Sequence, residues 1–223
     1  MVGLCINLNG IEMQSSNLIR LINLEVGEYS NNCYVLIDPS TNISAIIDAA
    51  YDPEAIIEAV EGTNLALIVT THRHQDHWGA LEAIKNQFPD ALVAVHSKDA
   101  AALPLTPDIF LEHGDTLQVG SVPLRVISTP GHTEGSICLI SGSFLFTGDT
   151  LFPGGPGHSD SPESLRTEIN SIVTHLYKLD PETNVLPGHG DATTIAESKL
   201  EYEKFASEPH EPDLHGDVVW SKS

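Results

Sequence analysis

The chain has 223 residues, 41% of them hydrophobic, so it is long enough to bury a large core. Ten basic residues stand against 31 acidic ones, which gives a formal net charge of −21, although only 18% of the residues are charged. The acidity therefore comes from a shortage of lysine and arginine. Such a chain has no basic surface for a phosphate backbone, which argues against nucleic acid as a partner.

No apolar run approaches the length that spans a membrane, and the run at residues 1–6 is too short for the core of a secretion signal. The cysteines lie far apart, at Cys5, Cys33 and Cys138, so the sequence predicts neither a disulfide framework nor a CxxC metal site. We therefore expect a cytoplasmic protein that binds no membrane. Met13 is an alternative start, because the regular pattern begins only after it, and no feature fixes an oligomeric state.

The first half of the chain alternates apolar β-branched runs with helical stretches, separated by Gly, Pro, Ser and Asn. Strands are predicted at residues 18–26, 34–37, 44–47, 65–70 and 91–95. Helices are predicted at residues 54–60, at a stretch with Leu81, Ile84 and Phe88 on one face, and at residues 97–103.

The second half repeats this order of strands followed by helices. Strands are predicted at residues 117–119, 123–127, 137–140, 144–146 and 184–186. Ser161-Pro162-Glu163 favours a helix start, because it places a capping hydroxyl before a proline in the first helical position. The apolar stripe of this helix is Leu165, Ile169, Ile172 and Leu176. A last helix is predicted at about residues 194–205.

Two groups of strands and helices predict an α/β (α+β) fold in which two sheets face each other and helices cover their outer faces. No segment rich in Pro, Gly or Ser divides the chain, so we expect a single domain over residues 1–223. Its patterned core covers about 18–206, and a short irregular C-terminal arm covers 209–223. Residues 152–162 are the most loop-like stretch and are as typical of a lid as of a linker.

The most specific signal is the segment THRHQDH at residues 71–77, which holds three imidazoles and one carboxylate. In an extended chain His72 and His74 point to the same side, whereas Asp76 and His77 fall at the start of the following helix and point elsewhere. Such a segment can serve two metal ions, because zinc, iron and manganese all accept imidazole nitrogen and carboxylate oxygen.

Three further candidate ligands lie in the second half of the chain, namely His132, Asp149 and His189. Each follows the carboxyl end of an apolar strand-like run, as the first segment does, and each has a glycine beside it. Glycine is expected where the backbone turns sharply or comes close to a ligand. This recurrence favours a metal site over a chance cluster of polar residues.

These residues resemble the metallo-β-lactamase superfamily, whose HxHxDH motif and later histidine and aspartate motifs all have a match here. The resemblance extends over roughly residues 20–205 and implies a four-layer αββα sandwich with the metal site at one edge. It also implies the metal ligands. One ion would be held by His72, His74 and His132, a second by Asp76, His77 and His189, with Asp149 bridging them.

Within the superfamily the chain is similar to the glyoxalase II group of thioester hydrolases, around THRHQDHWGAL, STPGHTEGS and FTGDTLF. It departs from hydroxyacylglutathione hydrolase in two places. The basic C-terminal extension that meets glutathione has no counterpart beyond Lys199, Lys204 and Lys222. Residues 153–158, PGGPGH, replace Cys-Gly followed by a basic residue. We therefore do not expect glutathione as the thiol.

The resemblance implies a dinuclear hydrolase that cleaves a small-molecule thioester or related activated ester. Two divalent ions, zinc first and iron or manganese as alternatives, would supply hydroxide from a bridging water near neutral pH and polarise the carbonyl. Asp76 would be a ligand that also orients the nucleophile. Three alternatives stay open: a mononuclear iron enzyme resembling the persulfide dioxygenases, a lactonase of the same fold, and a metal-binding protein without turnover.

Other polar residues are weaker candidates. Arg73 and His158 are interpreted as surface residues and not as substrate contacts, because exposed arginines and loop histidines are common. His96, His113 and His175 lie outside the motifs and are interpreted as structural or surface residues.

Overall fold

The computed structural model describes residues 19–220, and the expectations for Cys5, Met13 and Leu18 lie outside this range. The strands are β1 (Arg20–Val26), β2 (Asn31–Asp38), β3 (Ile43–Ile47), β4 (Asn64–Val69), β5 (Leu92–His96), β6 (Ile109–Leu111), β7 (Thr116–Val119), β8 (Val122–Ser128), β9 (Ile137–Ser141), β10 (Phe144–Gly148), β11 (Leu151–Phe152), β12 (Gly155–Pro156), β13 (Asn184–Pro187) and β14 (Thr193–Thr194). The α-helices are α1 (Pro53–Ala59), α2 (Leu81–Gln87), α3 (Pro162–His175) and α4 (Ile195–Ala206).

Two six-stranded sheets organise the described residues, in the orders β1-β2-β3-β4-β5-β6 and β14-β13-β10-β9-β8-β7. In the first sheet β3, β4, β5 and β6 are parallel. In the second sheet β10 and β13 are parallel, and β8 runs the same way because both β8 and β10 are antiparallel to β9. The carboxyl ends of these strands therefore collect at one edge of each sheet.

Three apolar layers hold the sheets and helices together. Residues of both sheets, including Val69 and Phe146, form the layer between them. A second layer packs the first sheet under α1 and α2 through residues such as Ile56 and Leu81. A third packs the second sheet under α3 and α4, with Ile172 fully buried. The predicted four-layer αββα arrangement is confirmed.

The predicted start of α3 is also confirmed, because the Ser161 hydroxyl accepts a hydrogen bond from the Ser164 backbone amide at 3.1 Å. Leu165 and Ile172 of the predicted stripe are buried in the helix, and Leu176 is buried in the 3-10 turn that follows it. Thr194 caps α4 in the same way, through the amide of Glu197 at 3.1 Å.

The helix predicted at residues 97–103 is wrong. Only a single 3-10 turn forms, at Ala100–Ala102, and Leu103 is extended. Leu103 precedes Pro104, and a residue before proline is disfavoured in the helical region. The chain then forms β6, a strand that the sequence analysis missed and that pairs with β5.

The placement of Asp76 and His77 at the start of a helix is also wrong in detail. Both lie in the 3-10 turn Gln75–His77, and α2 begins only at Leu81. Residues 151–156 form the short hairpin β11–β12, and the loop-like stretch at residues 152–162 is partly buried.

The C-terminal arm has no helix and no strand over residues 209–220, apart from an isolated bridge between Gly216 and Ser159. Val218 and Trp220 of the arm are nevertheless buried in the apolar layer under α3 and α4. No helix among residues 19–220 is long and apolar enough to cross a membrane.

One carboxyl group, that of Glu168, is buried in α3. Glu168 is 0% exposed, and neither of its carboxyl oxygens has a hydrogen-bond partner among the described residues. Burial raises the pKa of Glu168 to about 9, the charge of Asp149 adds to the shift, and the nearby amide of Gly157 opposes it. Glu168 is therefore a neutral acid at pH 7.

We expect this burial to make stability depend on pH. The unfolded chain loses the Glu168 proton near its ordinary pKa, whereas the folded chain keeps it to about pH 9, so folding stability falls as pH rises between these values. Glu168→Gln removes this titration. Its free energy of unfolding should gain on that of the wild type by up to about 1.4 kcal/mol per pH unit between pH 5 and 8.

Urea unfolding of the metal-free proteins at pH 5, 6.5 and 8 measures this difference. Glu203→Gln, on the exposed side of α4, is the matched control and should show a constant difference from the wild type. A constant difference for Glu168→Gln as well would contradict the prediction.

Candidate metal centre

All seven predicted site residues meet at the edge where the parallel strands end. His72, His74, Asp76 and His77 follow β4, His132 follows β8, Asp149 follows β10 and His189 follows β13. Three sets of these side chains bring one nitrogen or oxygen atom each to within 4.8 Å of one another. The first set is His72, His74 and His132, and the second set is Asp76, His77 and His189. A third group, His72, His77 and Asp149, lies between them.

The first set is a triangle of imidazole nitrogens. His74 Nδ1 lies 3.0 Å from His72 Nε2 and 2.9 Å from His132 Nε2, and the two Nε2 atoms lie 3.3 Å apart. An ion that binds three nitrogens tetrahedrally at about 2.0–2.1 Å separates them by about 3.3–3.4 Å. The triangle is thus close to the size that a zinc-like ion requires.

The second set lies on the other side of Asp149. His77 Nε2 is 3.2 Å from His189 Nε2, and Asp76 Oδ2 is 3.3 Å from His189 Nε2. The carboxylate of Asp149 faces both sets, with Oδ1 at 3.3 Å from His77 Nε2 and Oδ2 at 3.7 Å from His132 Nε2. This placement suits a carboxylate that two ions would share.

The close approach of the segments depends on Gly188, which precedes His189. A Cβ atom at this position would lie 2.5 Å from His77 Cε1 and would overlap the Asp149 carboxylate. Glycine is therefore required here, as the sequence pattern indicated.

The outer nitrogen of four histidine rings is already bound to a neighbour. In each ring the Nδ1–H group is the donor. His72 donates to Thr71 Oγ1 (3.1 Å) and His77 donates to Asp48 Oδ2 (2.9 Å). His132 donates to the His158 carbonyl (2.8 Å) and His189 donates to the Tyr29 carbonyl (2.9 Å). These partners fix the tautomer in which the Nε2 lone pair faces the centre.

The centre therefore consists of acceptor groups that face one another without enough protons between them. Imidazole lone pairs and carboxylates repel at such distances unless a cation or a proton lies between them. Nitrogen and oxygen donors in this number fit divalent zinc, iron or manganese, so the residues present fit the predicted metal group.

Protonation shows the same imbalance. Burial lowers the pKa of His72, His74 and His132, which keeps these rings neutral. Burial also opposes protonation of His189, but the carboxylates of Asp149 and Asp76 raise its pKa to about 10. Burial likewise opposes protonation of His77, but Asp149 and Asp48 raise its pKa, so without metal this set attracts protons where a cation fits, and metal binding must release them.

Asp48 is a site residue that the sequence analysis missed. One of its carboxylate oxygens accepts hydrogen bonds from the Thr71 hydroxyl at 2.7 Å and from His77 Nδ1–H at 2.9 Å, and the other accepts from the Thr71 amide at 2.7 Å. Asp48 directly follows β3 and has a positive φ of 57°. The rule that found Asp149, an acid at the carboxyl end of an apolar strand, also points to Asp48.

Two further polar residues tie the ligand segments together and were also missed. Asn31 donates from its side-chain amide to Asp76 Oδ2 at 3.1 Å and to the Asp76 carbonyl at 3.0 Å. Asp99 accepts hydrogen bonds from the Arg73 amide at 2.9 Å and from the Thr133 hydroxyl at 2.6 Å, which joins the neighbours of His72 and His132. Neither residue carries a recognisable sequence motif.

The weaker candidates lie outside the centre. Arg73 pairs with Asp99 at 3.4 Å, and His96 lies 3.4 Å from Glu112. His113 and His175 pack against each other with ring centroids 4.8 Å apart. The side chain of His158 is exposed and lies 2.8 Å from Asp217.

An open cleft of about 610 Å³ leads to the second set. Its lining residues are Tyr29, Tyr51, Gln75, Asp76 and His189. A molecule in this cleft would contact Asp76, whose side chain is 27% exposed.

Comparison with known proteins gives the same picture. A family model described as the metallo-beta-lactamase superfamily matches residues 26–189, which contain all seven site residues. The chain is 32% identical over 198 residues to hydroxyacylglutathione hydrolase GloC of Haemophilus influenzae, with 79% of this chain and 93% of that protein aligned. It is 36% identical over 165 residues to hydroxyacylglutathione hydrolase of Thermosynechococcus vestitus.

The second of these relatives is longer, since the alignment covers 71% of this chain but 63% of that protein. Among solved structures, the crystal structure of ETHE1 from Myxococcus xanthus superposes with a TM-score of 0.75 at 29% identity and covers 86% of each chain.

We expect Asp48→Asn to weaken metal binding by about 10–100-fold, the usual effect of removing a hydrogen-bond partner of a ligand. Asparagine has one acceptor oxygen where Asp48 uses two, so its NH2 group would face either the Thr71 amide or the pair formed by the Thr71 hydroxyl and His77 Nδ1–H, all of which are donors. Competition with a chromophoric chelator measures the affinity. Asp90→Asn, in an exposed turn, is the control and should leave the affinity unchanged. Equal affinities for both variants would show that Asp48 does not support the site.

Proposed function

The chain belongs to the metallo-β-lactamase superfamily and is a metal-dependent hydrolase, and from that premise we propose that it cleaves thioesters or related activated esters with two divalent ions, zinc first among them. The observation that carries the proposal is the pair of ligand sets on either side of Asp149. One ion would be held by His72, His74 and His132, the other by Asp76, His77 and His189, and both would face Asp149.

The bound ions would lower the pKa of a water molecule and polarise the scissile carbonyl. The residues of the chain supply the positions. Without metal, the hydrogen bond from His189 holds the pKa of Asp76 well below its usual range although burial opposes this, so the Asp76 carboxylate is already ionised when a cation binds. Asn31 fixes the orientation of the Asp76 carboxylate, which faces the cleft and can orient a nucleophile there.

The proposed metal-bound nucleophile suits an ester or thioester whose leaving group needs no protonation. A thiolate leaves as an anion, so the site works on thioesters without a dedicated general acid. The names of two relatives, both hydroxyacylglutathione hydrolases, support the thioester as substrate.

The charges around the cleft bear on the thiol part of the substrate. None of the lining residues is a lysine or an arginine. Arg73 lies two residues before the lining residue Gln75 in the sequence, but its guanidinium group is paired with Asp99. We therefore propose that the thiol part is recognised through the aromatic walls Tyr29 and Tyr51 and not through the carboxylates of glutathione.

We further propose the cytoplasm as the compartment. The buried cysteines Cys33 and Cys138 are both free thiols, as a reducing environment favours.

Hydrolysis of two thioesters with the same acyl group tests the proposal. We expect the zinc-loaded protein to cleave both S-lactoylglutathione and the neutral S-lactoyl-N-acetylcysteamine, with a kcat/KM for the neutral ester that equals or exceeds the other. His74→Ala and Asp149→Ala should each lower kcat/KM by about 1000-fold or more, because each removes a proposed ligand.

Glu203→Gln, on the exposed side of α4, is the control and should keep full activity. Failure of the zinc-, iron- and manganese-loaded protein to cleave either ester would overturn the proposed function. Consumption of oxygen with a persulfide substrate and one iron per chain would favour the mononuclear alternative.

A further inference from the structure

The C-terminal arm contacts the segment at residues 154–159, whose His158 carbonyl binds the His132 ring, and no motif predicted this contact. We propose that residues 214–220 of the arm position His132 for metal binding, with Trp220 as the anchor of the arm. The inference rests on the proposed ligand role of His132.

The ring of His132 is held through its outer nitrogen. Its Nδ1–H donates to the backbone carbonyl of His158 at 2.8 Å. This bond sets both the tautomer and the rotation of the ring, and therefore the direction of the Nε2 lone pair. The position of one carbonyl group thus decides whether His132 completes the triangle with His72 and His74.

Hydrogen bonds attach the segment around His158 to the arm. Ser159 and Gly216 exchange two backbone hydrogen bonds, with the Gly216 amide donating to the Ser159 carbonyl at 2.9 Å and the Ser159 amide donating to the Gly216 carbonyl at 3.2 Å. The imidazole of His158 lies 2.8 Å from Asp217 of the arm.

The arm also holds the segment at its other end. The Trp220 amide donates to the Gly154 carbonyl at 2.7 Å. Residues 154–159 thus lie between two fixed points, and the His158 carbonyl lies between them. The segment packs so closely on the loop after β10 that a Cβ atom at Gly157 would overlap the carbonyl of Asp149.

Trp220 anchors the arm through a buried aromatic ring. Trp220 is 4% exposed and packs against Tyr202, Tyr177 and Phe205, with ring centroids 5.1, 6.2 and 6.3 Å away. Val218 is also buried, whereas Val219 between them is 60% exposed. The buried aromatic ring holds the arm against α4 and leaves Val219 as a natural control.

Removal of the anchor should therefore act at a distance, on one ion only. We expect Trp220→Ala to lower the affinity for the ion held by His72, His74 and His132 by about 10–100-fold and to leave the affinity for the other ion unchanged. Trp220→Phe keeps an aromatic anchor and should restore the affinity. Val219→Ala should match the wild type.

Gly216→Pro is a second variant that keeps the buried side chains of the arm. Proline has no amide hydrogen to donate to Ser159, and its φ cannot reach the +87° of Gly216. The same selective loss is expected, so the proposal can be tested even where Trp220→Ala fails to fold.

The measurements are metal stoichiometry, affinity by chelator competition and the visible spectrum of the cobalt-loaded protein, which reports the coordination of each ion. His132→Ala supplies the decisive comparison. When the arm acts through His132, adding Trp220→Ala to His132→Ala has no further effect on metal affinity.

The outcomes separate the inference from the proposed function. If His132→Ala binds both ions as tightly as the wild type, the proposed ligand set is wrong and the inference fails with it. If His132→Ala loses one ion while Trp220→Ala and Gly216→Pro bind two ions with wild-type affinity and spectrum, the inference alone is overturned. Equal additional losses in the presence and absence of His132 would also overturn it, because they would show a general loss of stability.

Discussion

The structure depends on one electrostatic constraint, the convergence of imidazole lone pairs and carboxylates on a small region at one sheet edge. Five histidines and two aspartates approach within 2.9–4.0 Å of their neighbours there. Their mutual repulsion has to be offset by cations or protons. The ligands follow the carboxyl ends of β4 in the first sheet and of the parallel strands β10 and β13 in the second, and the two sheets bring these ends together.

Hydrogen bonds from neighbouring polar residues join the segments that carry the metal ligands. Asp48 joins β3 to the HxHxDH segment, and Asp99 joins that segment to the loop of His132. Asn32 on β2 donates to the carbonyls of Pro187 and Gly190 on either side of His189, at 3.0 and 2.9 Å. Both sheets are therefore coupled through the site, and a change in one loop moves ligands contributed by another.

The sequence predicted the parts of the site that depend on local chemistry. The histidine and aspartate motifs and their glycines were recognisable because a metal ligand needs a specific side chain beside a sharp turn. The alternation of apolar runs likewise predicted most strands and the start of α3. The helix at residues 97–103 was wrong, because Asp99 hydrogen-bonds to Arg73 and Thr133 and Pro104 favours an extended Leu103. The role of Trp220 was out of reach as well, since a tryptophan near a chain end carries no local sign of the aromatic cluster it enters.

The most direct test of the account is anomalous X-ray diffraction from crystals of the metal-loaded protein, collected at the absorption edge of the bound metal. The account predicts two peaks about 3.5–4 Å apart. One should lie among His72, His74 and His132, the other among Asp76, His77 and His189, with Asp149 facing both. A single peak in one set, or peaks away from these side chains, would contradict the dinuclear centre.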